Sequence, residues 1–281
     1  MSTTTGTQPK DLRNRMVDHI EAAGHLHSSR VEQAMRTIPR HLSVPEADIE
    51  DAYANRHVTT KPGCDGRPAS CASVPTVVAM MLGQLDARAG DRVLEIGAGT
   101  GYNAALLAEL VGEDGQVTTI DIDPEVTAQA RQALDATGYG CVHVITGDGA
   151  LGEVDHAPYD RIIVTVGPWD LPPAWSDQLA LSGCLVAPLR WRGQARSVAF
   201  THEKGLLRAG DSRLCGFIPM IGDGQDGERT GHIDTDVALY WDIDQPSTRP
   251  RSGESSPSPR PPHGPARQSA PASPSTEYGY A

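Results

Sequence analysis

Residues 93–110, VLEIGAGTGYNAALLAEL, constrain the fold of this chain more than any other stretch. An apolar run leads into a turn that holds three glycines, and a helical pattern rich in alanine and leucine follows. A buried strand, a glycine turn and a helix in this order form the opening unit of parallel α/β sheets that bind nucleotide-like ligands. The stretch therefore predicts a ligand site at the carboxyl end of a strand.

Strand and helix patterns alternate after this turn. Apolar runs predict further strands at residues 116–123, 142–148, 159–167, 183–190 and 195–202. Continuous apolar runs separated by helices are typical of a parallel sheet that is buried on both faces. We therefore expect an α/β chain with a Rossmann-like, doubly wound and mostly parallel sheet.

The segments before the sheet predict helices and a loop. Residues 11–39 have helical periodicity that is interrupted near Gly24. Residues 52–73 contain few apolar side chains and many turn formers, which predicts a long loop, and such loops are usually functional. A helix is expected to follow, with Ser73 as its N-cap and Pro75 in its first turn.

Composition excludes several classes of function. The formal net charge is −12, which disfavours a nucleic-acid partner, because such proteins usually present a basic surface. No apolar run approaches the ~18 residues that span a bilayer, and the N-terminal stretch lacks the hydrophobic core of a signal peptide. We expect a soluble, cytoplasmic protein without a membrane partner. The five cysteines contain no C-x-x-C pair, so neither a disulfide framework nor a metal site is expected.

The glycine turn differs from the dinucleotide fingerprint. Its pattern is G-x-G-x-G, and Tyr102 stands where G-x-G-x-x-G has its last glycine. That glycine permits close packing of helix and strand around a pyrophosphate, so a nicotinamide cofactor is disfavoured. Glu95 lies two residues before the first glycine, and its negative charge suits a cationic ligand better than a phosphate.

VLEIGAGTG resembles the first motif of the class I methyltransferases that use S-adenosylmethionine (SAM) and release S-adenosylhomocysteine (SAH). This resemblance implies that Asp121, at the end of the second strand, binds the ribose hydroxyls and that Asp148, after the third strand, contacts the adenine amino group. Taken singly, Asp121 is also suited to cap a helix, although Asp123 fits that role better, and Asp148 is also suited to an Asp-Gly turn. The implied cofactor-binding residues are Glu95, Gly97, Ala98, Gly99, Thr100, Gly101, Tyr102, Asn103, Asp121, Ile122, Gly147, Asp148 and Gly149.

Residues 30–200 resemble one methyltransferase family more closely, protein-L-isoaspartate O-methyltransferase. The segment CASVPTVVAMM precedes the glycine motif, and GDGALG, APYDRIIVTVG and DQLALSGCLVAPL follow in the order of the family. The resemblance implies that Ser73, in a Ser-x-Pro element with Pro75, is the catalytic residue that holds the substrate carboxylate. Ala72 and Val74 beside it are implied substrate contacts.

A carboxylate acceptor suits a site without a general base. A carboxylate is already ionised at pH 7, so no proton needs to be removed before it attacks the methyl group. Alignment and exclusion of water then supply the catalysis. The methyl ester that forms is an electrophile, and the next backbone amide can close it to a succinimide (aspartimide).

Three features depart from the family pattern. The loop reads CASVP instead of TISQP or TISAP, Trp169 and Trp175 replace smaller residues, and LCGFIPMIGDG is unusual. These features are similar to the divergent branch encoded with ribosomally synthesised, post-translationally modified peptides (graspetides, lanthipeptides and FxLD systems). We therefore expect the acceptor to be an aspartate in a macrocyclic precursor peptide.

The residues around the acceptor keep two interpretations. Trp169 is either a wall of the substrate site or a packing residue, and the same holds for Trp175. His57 and Lys61 either contact acidic residues of the peptide or belong to a solvated loop face. The alternatives for the whole chain are a housekeeping enzyme that repairs isoaspartyl proteins and a catalytically idle SAM-binding partner of a maturation complex.

Four segments are expected from these patterns. They are residues 1–76 with the N-terminal helices and substrate loop, 77–203 as the SAM-binding core, 204–244 as a family-specific extension, and 245–281 as a disordered tail rich in proline and serine.

Overall fold

Helices surround a central sheet in the computed structural model, which describes residues 8–63, 66, 68–191, 193–222, 228–232 and 237–242. Short 3₁₀ turns at Arg40–Ser43, Gly149–Leu151 and Val154–His156 join several of the longer elements. The α-helices are α1 (Pro9–Ala22), α2 (Ser29–Thr37), α3 (Ile49–Ala52), α4 (Pro75–Leu85), α5 (Tyr102–Val111), α6 (Pro124–Thr137) and α7 (Pro173–Gln178).

The strands form one large sheet and two hairpins. They are β1 (Val58–Pro62), β2 (Pro68–Ala72), β3 (Arg92–Ile96), β4 (Gln116–Asp121), β5 (His143–Thr146), β6 (Tyr159–Val164), β7 (Leu179–Trp191), β8 (Gln194–Glu203), β9 (Leu206–Cys215), β10 (Glu228–His232) and β11 (Ala238–Asp242).

The large sheet has the order β5-β4-β3-β6-β7-β8-β9. The first five strands pair in parallel, and β8 and β9 extend the sheet in antiparallel register. The predicted doubly wound, mostly parallel sheet is therefore confirmed. β3 lies between β4 on one side and β6 on the other, so the strand order reverses at β3. Such a reversal leaves a crevice at the carboxyl end of the strand.

The sheet is buried on both faces because successive side chains point to opposite sides of each strand. Val93 and Ile163 belong to the apolar cluster under α1, α2, α4 and α5, whereas Leu94 and Ile162 belong to the cluster that contains Trp175 of α7. The continuous apolar runs in the sequence are explained by this two-sided burial.

The ends of the helices follow local signals in the sequence. The predicted break near Gly24 is found between α1 and α2. Asp123 caps α6, since its side chain accepts a hydrogen bond from the Glu125 amide at 2.9 Å. Gly138 ends the same helix in the left-handed conformation, with φ of 88°.

Two local predictions before the sheet were wrong. The expected loop over 52–73 contains the antiparallel hairpin β1–β2, in which Val58 faces Ala72. The two strands pair through their backbones although the composition is rich in turn formers. No alternation of apolar residues indicates this pairing in the sequence. The N-cap of α4 is Val74 rather than Ser73, because Pro75 already occupies the first turn.

Some expected segments are only partly described. The predicted boundary at residue 203 falls between β8 and β9, which pair in the same sheet. The predicted disordered tail, 245–281, lies outside the described residues. Within the described part of the chain, no helix has the length and hydropathy needed to cross a membrane.

Candidate functional site

A cavity of about 1040 Å³ opens at the carboxyl end of β3. Its walls come from the glycine turn, the ends of β4 and β6, the end of the hairpin β1–β2 and residues 217–221. This is the crevice that the sheet topology predicts as a ligand site. The strongest sequence motif and the hairpin therefore meet at one place.

The three glycines of the turn have positive φ values. These are 100° at Gly97, 48° at Gly99 and 74° at Gly101. A Cβ on Gly97 would lie 2.8 Å from the Thr165 hydroxyl oxygen, and one on Gly101 would lie 2.9 Å from the Ala130 carbonyl oxygen. Glycine is therefore required both by the backbone conformation and by close packing. The turn residues from 97 to 100, together with Tyr102 and Asn103, line the cavity, whereas Gly101 is not in its wall.

Glu95 is a buried acid in the wall of this cavity. Its side chain is fully buried, and its carboxylate accepts hydrogen bonds from Asn103 Nδ2 at 2.8 Å and Thr119 Oγ1 at 2.7 Å. Burial raises the pKa of this carboxyl from 4.5 to about 7, and the two hydrogen bonds oppose the rise. No cationic side chain of the described residues pairs with it, so the carboxyl is available to a cationic ligand.

Asp121 ends β4 beside the glycine turn. Its carboxylate accepts hydrogen bonds from the backbone amides of Gly99 and Asp123, both at 3.2 Å. Desolvation by burial raises its pKa. Ile122, which is 39% exposed, lies next in the cavity wall and offers an apolar surface to a flat ring. A bidentate acceptor next to an apolar ledge is suited to a nucleoside.

The residues after β5 occupy the border of the cavity. Gly149 lines it, whereas Gly147 and Asp148 lie just outside its wall. The Asp148 carboxylate accepts a hydrogen bond from the Ala150 amide at 2.9 Å and so caps a 3₁₀ turn. It also packs under Gly222, where a Cβ would come within 2.8 Å of it. The capping interpretation of Asp148 therefore describes part of what this side chain does.

The end of β2 brings Ser73 to the cavity. Ser70, Cys71 and Ser73 line it, whereas the side chains of Ala72 and Val74 are buried in the protein. The implied substrate contacts at Ala72 and Val74 are thus limited to their backbone groups, while Ser73 presents its side chain.

His57 and Lys61, the other two predicted substrate contacts in this region, lie away from the cavity wall. Lys61 Nζ contacts Asp123 Oδ2 and Glu125 Oε2, each at 2.6 Å, and these contacts raise its pKa. Its charge thus links the hairpin to the start of α6. His57 precedes β1 and is partly exposed.

The two tryptophans occupy different environments. Trp175 is fully buried and donates a hydrogen bond from Nε1 to the Gly149 carbonyl at 2.8 Å, which is the packing role. Trp169 lines a second cavity of about 340 Å³, together with Pro188 and Arg190. This second cavity shares Phe217 and Pro219 with the first, so Trp169 lies next to the site. Of the two tryptophans, only Trp169 therefore lies at a cavity where a substrate could contact it.

Sequence reasoning missed the cover of the cavity. Residues 217–221 lie in its wall although they are more than 110 positions after the glycine turn. Two backbone hydrogen bonds fix this segment: Gly167 N donates to Ile218 O at 2.7 Å, and Met220 N donates to Gly167 O at 2.8 Å. The stretch LCGFIPMIGDG departs from the family pattern, but nothing in it indicates contact with the segment that follows β6.

Sequence reasoning also missed Arg40, which lines the cavity and is fully buried. Its Nε donates to Ala52 O at 2.9 Å, and its Nη2 donates to Ser73 O at 2.8 Å. Its guanidinium carbon lies 4.9 Å from the centre of the Tyr102 ring. Arginine next to proline in the stretch IPRHL reads as a surface residue, so no signal indicated burial.

Comparison with known proteins adds an independent line of evidence. Residues 11–225 match the family model described as Protein-L-isoaspartate(D-aspartate) O-methyltransferase. A protein named protein-L-isoaspartate O-methyltransferase from Methanopyrus kandleri is 40% identical over 213 residues, which are 75% of this chain and 92% of that protein. A protein named protein-L-isoaspartate O-methyltransferase 2 from Archaeoglobus fulgidus is 37% identical. The match covers 76% of this chain and 94% of that protein.

Solved structures agree at the level of the fold. A structure titled protein-L-isoaspartate O-methyltransferase aligns with a TM-score of 0.69 and 26% identity, over 76% of this chain and 67% of that one. A putative protein-L-isoaspartate O-methyltransferase from Plasmodium falciparum, solved with S-adenosyl-L-homocysteine, aligns with a TM-score of 0.66 over 74% of this chain and 98% of that one. At 16% identity, the second structure supports the fold alone.

Proposed function

Because this chain belongs to the protein-L-isoaspartate(D-aspartate) O-methyltransferase family, we propose that it methylates a side-chain or isoaspartyl carboxylate of a protein or peptide, with SAM as the donor. The observation that carries the proposal is the single cavity shared by Glu95, Asp121 and Ser73. These three residues come from a strand, the next strand and a hairpin, and each suits a different part of the two substrates.

The residues of the first wall fit SAM. Glu95 has a raised pKa and no cationic partner among the described residues, so a cationic ligand would stabilise its ionised form. Asp121 offers two acceptor oxygens to ribose hydroxyls, and Ile122 offers an apolar ledge to the adenine. When bound, SAM supplies an electrophilic methyl group on a sulfonium and leaves as neutral SAH.

The acceptor side is proposed to work by orientation. The Ser73 hydroxyl has no hydrogen bond to a described residue, so it is free to donate to an acceptor carboxylate. A single neutral donor orients the carboxylate without the strong charge pairing that would lower its nucleophilicity. No base is required, since the carboxylate is ionised at pH 7.

The cover is proposed to keep water out of the reaction. Residues 217–221 form one wall of the cavity and are held by two backbone hydrogen bonds with Gly167. Water would compete for the acceptor carboxylate and would hydrate its charge. A covered site therefore raises the reactivity of an acceptor that needs no deprotonation.

Isoaspartyl residues are the acceptor that the comparisons favour. The relatives with 37% and 40% identity both have protein-L-isoaspartate O-methyltransferase as their name. We propose isoaspartyl carboxyl methylation as the primary activity, and this replaces the modified precursor peptide that the sequence alone favoured.

One observation favours the precursor peptide as a second candidate. Trp169 walls a small cavity that adjoins the first, and an apolar pocket beside the acceptor is suited to a side chain that flanks an aspartate. In that reaction the methyl ester of an ordinary aspartate would close to a succinimide. The idle partner has no supporting observation, because both the SAM wall and Ser73 are present.

The test compares two acceptors with the purified full chain. An isoaspartyl peptide and a cyclic peptide with an ordinary aspartate are each incubated with SAM, and SAH formation is measured together with peptide mass. Turnover of the isoaspartyl peptide supports the primary proposal, and its absence together with methylation of the cyclic peptide supports the second. Failure of both acceptors, with SAM bound, would favour the idle partner. Ser73→Ala is the matched variant.

A further inference from the structure

Arg40 carries a buried positive charge that the proposed function has not used. It lies in the 3₁₀ turn Arg40–Ser43 and its side chain is fully buried. Its hydrogen bonds go to the backbone carbonyls of Ala52, Ala72 and Ser73, and none goes to a carboxylate of the described residues. Its Nη1 is buried and has no hydrogen-bond partner within the described part of the chain. An arginine held only by carbonyls is therefore a cation without a counter-ion.

The described residues that act electrostatically on Arg40 supply no negative charge. Burial raises the pKa of the Cys71 thiol to about 11 and that of Tyr102 to about 12, so both are neutral at pH 7. Burial also raises the pKa of Tyr53. Burial lowers the pKa of Arg40, but a guanidinium starts so far above pH 7 that it stays protonated.

A buried charge without a counter-ion costs the folded protein free energy. Such a charge persists where a ligand of opposite sign supplies the missing partner. Glu95 lines the same cavity, but its carboxylate is hydrogen bonded to Asn103 and Thr119 rather than to Arg40. Because no described residue supplies this anion, the ligands of the cavity are its candidate source.

We propose that Arg40 is a positioning residue that fixes the backbone at Ser73 and makes the electric field at this end of the cavity favourable to the acceptor carboxylate. It acts through Ser73 and through the field, because its own Nη1 is covered by protein. The inference rests on the proposed carboxyl acceptor. It adds the reason why an anionic acceptor is preferred to a neutral one.

The first test uses binding alone and contains no acceptor. SAM carries a positive sulfonium and SAH a neutral thioether, so the ratio of their dissociation constants reports the field at the sulfur. Replacing Arg40 with the neutral Arg40→Gln should raise Kd(SAH)/Kd(SAM) roughly three- to tenfold, because a repelling charge is removed. Arg40→Lys keeps the charge and should leave the ratio near that of wild type. Isothermal titration calorimetry measures both constants.

The second test asks whether the acceptor charge is recognised. Two isoaspartyl peptides are compared on SAH-loaded enzyme, one with the acceptor carboxyl and one with a carboxamide in its place. Wild type should bind the acid at least about tenfold more tightly than the amide, and Arg40→Gln should reduce that preference below about threefold. Wild type alone decides the outcome if Arg40→Gln does not fold, since equal binding of acid and amide would overturn the proposal.

Arg131→Gln is the matched control. Arg131 also donates to backbone carbonyls, at Val142 O and Tyr139 O, but it lies outside the cavity wall. Its loss should lower the melting temperature without moving the SAH/SAM ratio. If Arg40 has only a structural role, Arg40→Gln should also lower the melting temperature without changing Kd(SAH)/Kd(SAM). An unchanged ratio would therefore refute the proposed effect of the Arg40 charge on the cavity. A changed ratio in an enzyme that methylates no carboxyl would overturn the proposed function and leave the field of Arg40 standing.

Discussion

Glu95→Gln should make the protein more stable at pH 8 and a poorer binder of SAM. The carboxyl of Glu95 is fully buried, and burial raises its pKa from 4.5 to about 7. Glutamine keeps the shape and stays neutral. Its amide oxygen can accept the bond from Asn103 Nδ2, and its amide nitrogen can donate to Thr119 Oγ1, so both contacts have a replacement.

The sign of the pH dependence follows from proton binding. The folded state holds a proton on Glu95 up to about pH 7, whereas the unfolded chain loses it near pH 4.5. Between these values the folded state binds more protons, so the stability of the wild type falls as the pH rises. Above about pH 7 the full cost of ionising the buried carboxyl is present.

The magnitude follows from the same two pKa values. A rise from 4.5 to about 7 corresponds to about 3 kcal/mol at pH 8 and to less than about 1 kcal/mol at pH 5. For a domain of this size, that difference converts to a melting temperature about 5–10 °C higher for the variant at pH 8, and only slightly higher at pH 5.

The assay is thermal unfolding followed by circular dichroism at pH 5 and pH 8, without and with SAM. SAM should raise the melting temperature of the wild type more than that of Glu95→Gln, because the variant lacks the charge that attracts the sulfonium and ammonium groups. The exposed Glu113→Gln is the control and should change neither value. A variant that is less stable than wild type at pH 8, or that shows the same margin at both pH values, would refute the reasoning.

Three further substitutions test the site. Asp121→Ala should weaken SAM binding roughly 10- to 100-fold in calorimetry, because charge-assisted hydrogen bonds to the ribose are lost; unchanged affinity would exclude the ribose role. Ser73→Ala should lower kcat/KM roughly tenfold in a SAH-release assay while SAM affinity stays within about twofold, and a large loss of SAM affinity would mean that Ser73 supports the donor instead. Trp175→Phe should destabilise the protein by about 1–3 kcal/mol in urea unfolding, since the Gly149 carbonyl loses its donor; an unchanged midpoint would contradict the packing role.

The sequence could indicate that the proposed donor residues lie together because that side of the cavity is local. Glu95, the glycine turn and Asp121 follow one another across one strand-turn-helix-strand unit, and backbone geometry alone places them together. Periodicity likewise predicted β3 to β8, since two-sided burial leaves continuous apolar runs, whereas the edge strand β9 was not predicted. The hairpin β1–β2 escaped prediction because its pairing depends on backbone hydrogen bonds and not on an apolar face.

The acceptor side could not be read from the sequence because it is assembled from distant segments. Arg40 reaches Ser73 across 33 positions, and residues 217–221 reach Gly167 across about 50. Neither contact produces a periodic pattern in the sequence, and the sequence does not distinguish a buried arginine from an exposed one. Only a three-dimensional structure can show that these segments meet.

The two buried charges give the cavity a direction. Among the residues that the structure describes, the Glu95 carboxyl has no cationic partner and the Arg40 guanidinium has no anionic partner. If the two side chains had paired with each other, their charges would cancel, and the cavity would not distinguish charged ligands from neutral ones. Under the proposed function, Glu95 would favour the positive donor and Arg40 the negative acceptor, and each would penalise the wrong ligand in its place. Because methyl transfer to a carboxylate converts a cation and an anion into two neutral products, the same electric field that favours both substrates would also bind both products less tightly.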